Sequence, residues 1–334
     1  MKNKLVNLIG PSGKTLWKIL DEWDSSLREF IKVMNKAYRE GMISVKDNRI
    51  FVTEKYKHLI QPRLRVKRCG RCRGKLIEFR EKKLLKKFVE IVKNRPHVKV
   101  EYFQGWIRPI DSIRRIALMD YWDGIADRNI VLIGDDDLES IALGLTNLPK
   151  RILALDIDEN LLDYIERVSK KFRLNIETLA YDVSNPLPKK LLKKFDIFST
   201  EPLETISGCL AFLSRGASLL KGKNCTGYFG LTTLECSFKK WQEIEKGLIG
   251  MGFVITDIIR NFSEYPMSDP IGDKEYEDSL KRKLPFEIRG YSKINWYKSW
   301  LFRIKAIEKI KPKFKWNERI KIEVKDEDDI TYPY

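Results

Sequence analysis

Apolar residues in the first forty positions recur at three- and four-residue spacing. Leu16, Ile19, Leu20, Trp23, Leu27, Phe30, Ile31 and Met34 share one helical face, so the spacing predicts a helix over residues 14–40. The period then shortens to two. Gly41–Val45 and Arg49–Thr53 alternate on either side of Lys46-Asp47-Asn48, which predicts a hairpin with a polar turn. A lysine-rich helix follows over 81–94, stopped by Arg95-Pro96, and another runs from Asp111 to Ala126. Beyond it, apolar strands alternate with helices. Strands are expected at 130–133, 152–155, 176–180, 195–199, 225–231 and 253–259, and helices at 138–145, 161–172, 206–220 and 238–248. A last strand is expected at 295–304, and the acidic run Asp326-Glu327-Asp328-Asp329 reads as a solvated end.

Near-continuous apolar strands separated by helices require a parallel sheet covered on both faces. The fold class expected is therefore α/β, a Rossmann-like, methyltransferase-type, mostly parallel sheet. Helices followed by a small hairpin resemble a winged-helix-like N-terminal domain ahead of it. The division expected is 1–98 for the basic winged-helix-like domain, 99–265 for the Rossmann-like catalytic domain, and 266–334 for a C-terminal extension that completes the sheet.

Charge supports that division. Residues 1–100 hold 27 Lys and Arg against 10 Asp and Glu, a net of +17, while residues 101–334 hold 37 of each. The excess raises nucleic acid as a partner of the first module. No reading helix stands out, and a lysine-rich surface of the kind common in thermophile proteins is preferred. No apolar run reaches the ~18–20 residues of a membrane span. The start, MKNKLVNLIGPSGKTL, shows no cleavage site after an apolar region, so no signal peptide is expected. Five scattered cysteines fit a reduced, cytoplasmic chain.

Two motifs lose their first reading on spacing. A phosphate loop needs four residues between its glycines, and Gly10 and Gly13 enclose two, so a turn before a helix is expected. Cys69-Gly70-Arg71-Cys72 is a single CxxC with no second pair, and His58 and His97 are the only histidines. A structural zinc site needs four ligands, so no metal is assigned and an incomplete remnant or a simple knuckle turn is preferred.

The chemistry is expected at the strand ends. The first strand ends at Gly134 and continues Asp135-Asp136-Asp137, where dinucleotide enzymes carry a glycine-rich turn. Anionic side chains there repel a pyrophosphate; at ~4 Å, attraction and repulsion differ by several kcal/mol at an effective dielectric near 20. Asp156 ends the second strand, where an acid accepts from ribose hydroxyls, and Asp182 ends the third, within reach of an adenine amino group. Each alone is as well explained as a helix N-cap, but in register the three acidic ends favour a nucleoside pocket. A nucleoside without phosphates points to an S-adenosylmethionine-type ligand. Three aspartates beside the aminoacyl tail oppose its carboxylate, and decarboxylated S-adenosylmethionine lacks that group. A cationic polyamine acceptor suits the same turn. Thr200-Glu201-Pro202-Leu203-Glu204-Thr205 follows the fourth strand and adds two carboxylates facing the transfer centre.

The stretches IGDDDLESIALGLTNLPKRILALDID, YDVSNPLP, FDIFSTEPLETISGCLAFLSRGASLLKG and YFGLT resemble the branched-chain polyamine synthase family, closely over roughly residues 100–265. The resemblance implies two successive aminopropyl transfers to the internal secondary amine of spermidine, each releasing 5′-methylthioadenosine. Decarboxylated S-adenosylmethionine is then a co-substrate and no resident cofactor is needed. The partners expected are these small molecules and a second copy in a homodimer, with no membrane. The family commonly carries Asp-Pro-Pro-Glu-Thr where this chain has Glu201-Pro202-Leu203-Glu204-Thr205, which keeps the charge and moves it; the CxxC region is also abbreviated.

On this reading the sulfonium activates its propyl carbon, and the protein supplies a neutral, aligned amine. Asp136 is the candidate base, and Asp135, Asp137, Glu201 and Glu204 bind the remaining ammonium groups. Gln104, Gly134, Asp156 and Asp182 hold the donor. The alternatives are an S-adenosylmethionine-dependent RNA methyltransferase and a non-enzymatic nucleic-acid-binding protein with a degenerate Rossmann domain.

Overall fold

A computed structural model of the chain describes residues 2–23, 26–60, 82–267 and 272–331. The N-terminal module comprises α1 (Lys2–Ile9), β1 (Lys14–Thr15), α2 (Leu16–Asp21), α3 (Leu27–Arg39), β2 (Ile43–Lys46) and β3 (Arg49–Val52). Its three strands form an antiparallel sheet in the order β1-β3-β2. The hairpin turns at Asp47 and Asn48, both in the left-handed region that Asp and Asn tolerate. The residues from Gly10 to Gly13 form a turn that leads through β1 into α2, and Lys14 is occupied by an ion pair with Glu22 at 2.8 Å.

The single helix expected over 14–40 is two helices. Their separation is written in the polar residues between them: Ser26 caps α3, its hydroxyl accepting from the Glu29 N–H at 3.2 Å. A capping hydroxyl favours the extended conformation that Ser26 adopts over continuation of a helix.

The larger unit contains α4 (Lys82–Val92), α5 (Pro109–Asp123), β4 (Asn129–Ile133), α6 (Glu139–Thr146), β5 (Arg151–Asp156), α7 (Glu159–Phe172), β6 (Ile176–Ala180), β7 (Ile197–Thr200), α8 (Ile206–Leu219), β8 (Thr226–Leu231), α9 (Phe238–Gly250), β9 (Phe253–Glu264), α10 (Gly272–Arg282) and β10 (Lys298–Ala306). The seven strands run in the order β6-β5-β4-β7-β8-β10-β9. The first five are parallel, and β10 is antiparallel to both neighbours, so the C-terminal strand enters between β8 and β9. Chain order reverses between β4 and β7, the place where such sheets bind ligands. Alternation along β4 feeds both faces: Ile130 and Leu132 join one buried cluster, Val131 and Ile133 the other. Helix α4 precedes the boundary placed at residue 98, yet its Phe88, Ile91 and Val92 pack in the cluster beneath this sheet. Among the described residues no helix is long and apolar enough to cross a membrane.

The C-terminal segment is built into both units. Leu280, Ile288, Trp296 and Ile330 share one cluster with the N-terminal helices, and Trp296 stacks on Trp17 at 5.7 Å. Farther along, the Arg215 guanidinium, fully buried on α8, donates to the carbonyls of Val183 at 3.1 Å, Lys315 at 2.8 Å and Glu318 at 2.8 Å. Three carbonyls far apart in sequence thereby meet one rigid donor fork. This fastens the 315–322 stretch across the sheet's carboxyl edge. Arg215→Met leaves those acceptors without their partner and is expected to lower unfolding free energy by about 2–4 kcal/mol. Chemical denaturation would show it; a loss within experimental error would mean the stretch is held by apolar packing alone.

Candidate active site

A cavity of about 580 Å³ opens at the carboxyl ends of β4, β5 and β7. Its first wall comes from the turn after β4. Gly134 has φ +75, which turns the chain sharply out of the strand, and Leu138, also left-handed, starts α6. This geometry sends the three aspartates in three directions. Asp135 turns inward: its carboxylate accepts from the Ser140 N–H at 3.2 Å and from the Ser140 hydroxyl, so it serves the N-terminus of α6. Asp137 is buried as well, and its Oδ1 accepts from the Ile107 N–H at 2.7 Å. Asp136 alone of the three lines the cavity, with Oδ2 accepting from the Gly105 N–H at 2.9 Å. The expectation that Asp135 and Asp137 contact ammonium groups therefore meets a different placement. Both are only a few per cent exposed and are spent on holding backbone.

Burial governs the charge of these acids. It pushes the Asp136 carboxyl up, against the Gly105 N–H and the nearby Arg95. Burial and then the neighbouring Asp136 charge push Asp137 well up, and its Oδ2 has no hydrogen-bond partner among the described residues.

Under the turn lies a buried cation. Arg115 on α5 places its Nε 2.9 Å from Glu139 and pairs through Nη2 with Glu201, which follows β7. Nη2 also donates to the Ser263 hydroxyl at 3.1 Å. Burial opposes the Arg115 charge, but Glu139, Glu201 and Asp137 more than restore it. The other oxygen of Glu201 accepts from Tyr265 at 3.4 Å, and its carboxylate lies over Gly230, where any Cβ would overlap it. Glu204 also lines the cavity. One of its oxygens accepts from the Thr232 N–H; the other is buried without a partner among the described residues, and burial pushes the carboxyl well up.

At the opposite end, Asp156 accepts from two backbone N–H groups, those of Asp135 and Asp158, each at 2.8 Å. Two lone pairs remain for a ligand. Burial raises its carboxyl to about 6. Asp182 lines the wall beside it and accepts from the Ser184 N–H at 2.8 Å. Gln104 reaches the cavity but is mostly engaged: it donates to Asp158 at 3.1 Å and accepts from the Lys99 N–H at 2.8 Å, tying down the 99–104 loop. Leu155, Val183, Phe212, Ile320 and Ile322 supply apolar surface between these polar groups.

Sequence reasoning missed the wall supplied from beyond residue 230. Tyr265 and Tyr297 cross edge to face at 5.2 Å, and the Tyr297 hydroxyl donates to Glu235 at 2.7 Å. The acidic run expected as a solvated end folds back instead. Asp326 takes two bonds from the buried Lys240 ammonium, at 2.9 and 3.0 Å. Thr331 donates through N–H and hydroxyl to Glu235, at 2.7 and 2.6 Å. Asp329 consequently joins the cavity wall, its carboxyl raised by burial to about 6. The reason is Lys240, whose charge, once buried, must be paired. Its position on α9 gives no hint of that partner eighty-odd residues away. Cys69 and Cys72 lie outside the described residues.

Among the described residues the lining contains Glu101, Asp136, Asp156, Asp182, Glu201, Glu204, Glu235 and Asp329, and no Lys, Arg or His. Acids beside tyrosine rings suit alkylammonium groups, which gain from both charge and ring faces. The same field disfavours a ligand carboxylate.

A model of the branched-chain polyamine synthase A C-terminal domain matches residues 83–331. The chain is 38% identical over 301 residues to an N(4)-bis(aminopropyl)spermidine synthase of Thermococcus kodakarensis, covering 88% of this chain and 84% of that one. It is 38% identical over 299 residues to a synthase of the same name from Methanocaldococcus jannaschii, covering 87% and 83%. Among solved structures, the branched-chain polyamine synthase of Thermus thermophilus, in complex with N4-aminopropylspermidine and 5′-methylthioadenosine, superposes with a TM-score of 0.87. The two are 28% identical, with 99% of this chain and 92% of that one covered.

The raised Asp156 carboxyl makes stability depend on pH with a definite sign. The folded state binds this proton more tightly than the unfolded chain. Its contribution is thus present below the unfolded value of 3.8 and is lost as pH rises through about 6. The shift corresponds to about 3 kcal/mol. The Tm of the wild type, measured against Asp156→Asn, should therefore rise as pH falls through that window. A constant difference would show that Asp156 is not held up by burial.

Proposed function

The chain belongs to the branched-chain polyamine synthase family, and from this we infer that it is an aminopropyltransferase acting on polyamines. It moves an aminopropyl group from decarboxylated S-adenosylmethionine to the internal secondary amine of spermidine, then repeats the transfer. The products are N4-bis(aminopropyl)spermidine and 5′-methylthioadenosine. The observation that carries the reading is the cavity itself, in which acids stand at both ends and no basic side chain occurs among the described lining residues.

Each transfer is a displacement. The acceptor nitrogen forms a bond to the propyl carbon, the carbon–sulfur bond breaks, and its electron pair returns to sulfur as the neutral thioether leaves. The nitrogen must arrive without its proton; the tertiary ammonium formed by the first transfer must lose its proton before it attacks again, and the second transfer leaves a quaternary nitrogen that carries none. Asp136 is assigned as base. It is the one aspartate of the turn on the cavity wall, and burial brings its affinity for a proton nearer to that of an amine. Glu201 and Glu204 hold the ammonium groups that flank the reacting nitrogen. Asp156 takes the ribose hydroxyls, Asp182 the adenine amino group, and Gly134 lets the donor approach the backbone. Gln104 fixes the loop that closes the donor end. Asp135 and Asp137 keep the turn in shape and leave substrate contact to Asp136.

A cavity without basic side chains has nothing to pair with the carboxylate of S-adenosylmethionine, which counts against the methyltransferase alternative. A cytoplasmic location belongs to the same reading and is supported by Cys209, Cys225 and Cys236, all buried free thiols. A homodimer is included in it and is open to light scattering.

Incubation with spermidine and decarboxylated S-adenosylmethionine should yield methylthioadenosine and the branched product, identified by mass spectrometry. Asp136→Asn is expected to lower kcat by about 10²–10⁴ while methylthioadenosine still binds. Wild-type-like turnover in that variant would remove Asp136 from the role of base. Gly230→Ala addresses Glu201 separately. The new methyl pushes the Glu201 carboxylate away from Arg115, so Tm should fall as the buried cation loses a partner, while the chain still folds. Turnover and spermidine affinity should drop together, by about tenfold or more, as one charge-assisted contact is displaced.

A further inference from the structure

Away from the cavity, α4 and α7 enclose a trough ringed by Lys83, Lys86 and Lys87 on one side and Arg167 and Lys171 on the other. It is not the ion-pair network that a heat-resistant surface is built from. Glu90 is the one acid among its described lining residues, and Glu90 pairs with Lys93 at 3.0 Å. None of the five cations forms an ion pair with a described carboxylate. The Lys87 and Lys171 ammonium groups instead sit 4.9 and 5.4 Å from the centre of the same Phe172 ring, drawn together from opposite walls.

This arrangement works against the helix that carries it. Lys82 and Lys83 occupy the first turn of α4, which contains no acid among the described residues, although that end of a helix dipole disfavours cations. Lys82 and Lys86, and Lys83 and Lys87, are like charges four residues apart on one face. The dipole accounts for Lys170 and Lys171, in the last turn of α7, but not for the α4 lysines. A cluster that repels itself is relieved by a polyanion, and a recessed trough admits a rod of phosphates better than a flat surface.

We propose that the α4–α7 trough binds the phosphate backbone of nucleic acid without reading sequence. The contacts are lysine and arginine to phosphate, with no asparagine or glutamine pair placed for base edges beyond the single Asn94. The trough lies toward the C-terminal end of α7, whereas Asp158, at the N-terminus of that helix, ties down the 99–104 loop of the cavity. A bound backbone therefore leaves the cavity open. On the aminopropyltransferase reading it also holds the enzyme where polyamines gather as counterions.

The test is fluorescence anisotropy of the full-length protein with a short labelled DNA duplex of arbitrary sequence, repeated over a salt series. Each lysine–phosphate contact adds about 0.9 to the slope of log affinity against log salt, so Lys83→Gln/Lys86→Gln/Lys87→Gln should reduce that slope by about 2–3. The triple variant should retain its melting temperature and its turnover with spermidine. A matched variant on α3, Lys32→Gln/Lys36→Gln/Arg39→Gln, should keep the wild-type slope. Equal losses in both variants would assign the binding to diffuse charge and overturn the trough. So would salt-insensitive binding by the wild type, or tighter binding to phosphatidylserine vesicles than to the duplex. Because the readout is binding, it stands or falls apart from the transferase assignment.

Discussion

A guanidinium buried beneath the active site has to be surrounded by acid, and the rest of the catalytic end is arranged around that requirement. Arg115 is 1% exposed and meets Glu139 at the start of α6 and Glu201 at the end of β7, with the Asp137 charge close by. Two strand ends and one helix are thereby locked to a single cation. Loss of one partner in such a group leaves an uncompensated charge in the interior, at a cost of about 3–5 kcal/mol. The lock also has chemical consequences. Glu201 is held with one oxygen toward Arg115 and the other toward Tyr265 and the cavity, so its position is set before a substrate arrives. The acids outnumber the cation they enclose. Burial therefore pushes several of these carboxyls up, Asp137 and Glu204 among them, and an incoming ammonium favours their charged forms.

The cavity is closed by parts of the chain far from its floor. Arg215 fastens 315–318, Lys240 draws in Asp326, and Glu235 collects Tyr297 and Thr331. Each anchor is a buried polar group that would be costly without its partner, so the C-terminal segment is held by specific bonds as well as apolar contact. Closure is what raises Asp156 and Asp329 to about 6, since carboxyls open to water stay near their ordinary values. Fold and chemistry meet here. The tail that completes the wall also sets the low dielectric in which charge on a substrate counts.

How much of this was legible in the sequence varied with the range of the interaction. The alternation from β4 to β9 could be read because buried parallel strands are nearly continuous apolar runs, and their ends fell where Gly134, Asp156, Asp182 and Glu201 stand. Which of Asp135, Asp136 and Asp137 faces the ligand could not be read. That depends on left-handed residues at both ends of the turn, Gly134 and Leu138, and only the glycine announces itself. The helix expected over 14–40 failed for a local reason, since apolar spacing continued through a break that Ser26 caps. The tail failed for a distant one: an acidic run looks solvated unless the buried Lys240 is known to be waiting for it. Tyr265 and Tyr297 sit at a strand end and just before a strand, where no periodicity marks them.

The field of the cavity selects both substrates at once. At ~5 Å and an effective dielectric near 20, one unit charge changes a ligand's energy by about 3 kcal/mol, roughly a hundredfold in affinity. A carboxylate on the donor suffers that penalty, while each ammonium on the acceptor gains by a similar amount. Removal of the carboxylate from the donor is thus what makes it compatible with a site built for a polycation. Glu201 fits the same logic. Its carboxylate reaches Arg115 and finds room over Gly230, which has no Cβ. Discrimination therefore rests on how many acids stay dry at the strand ends. Shape alone would separate the donor from its carboxylated parent only weakly.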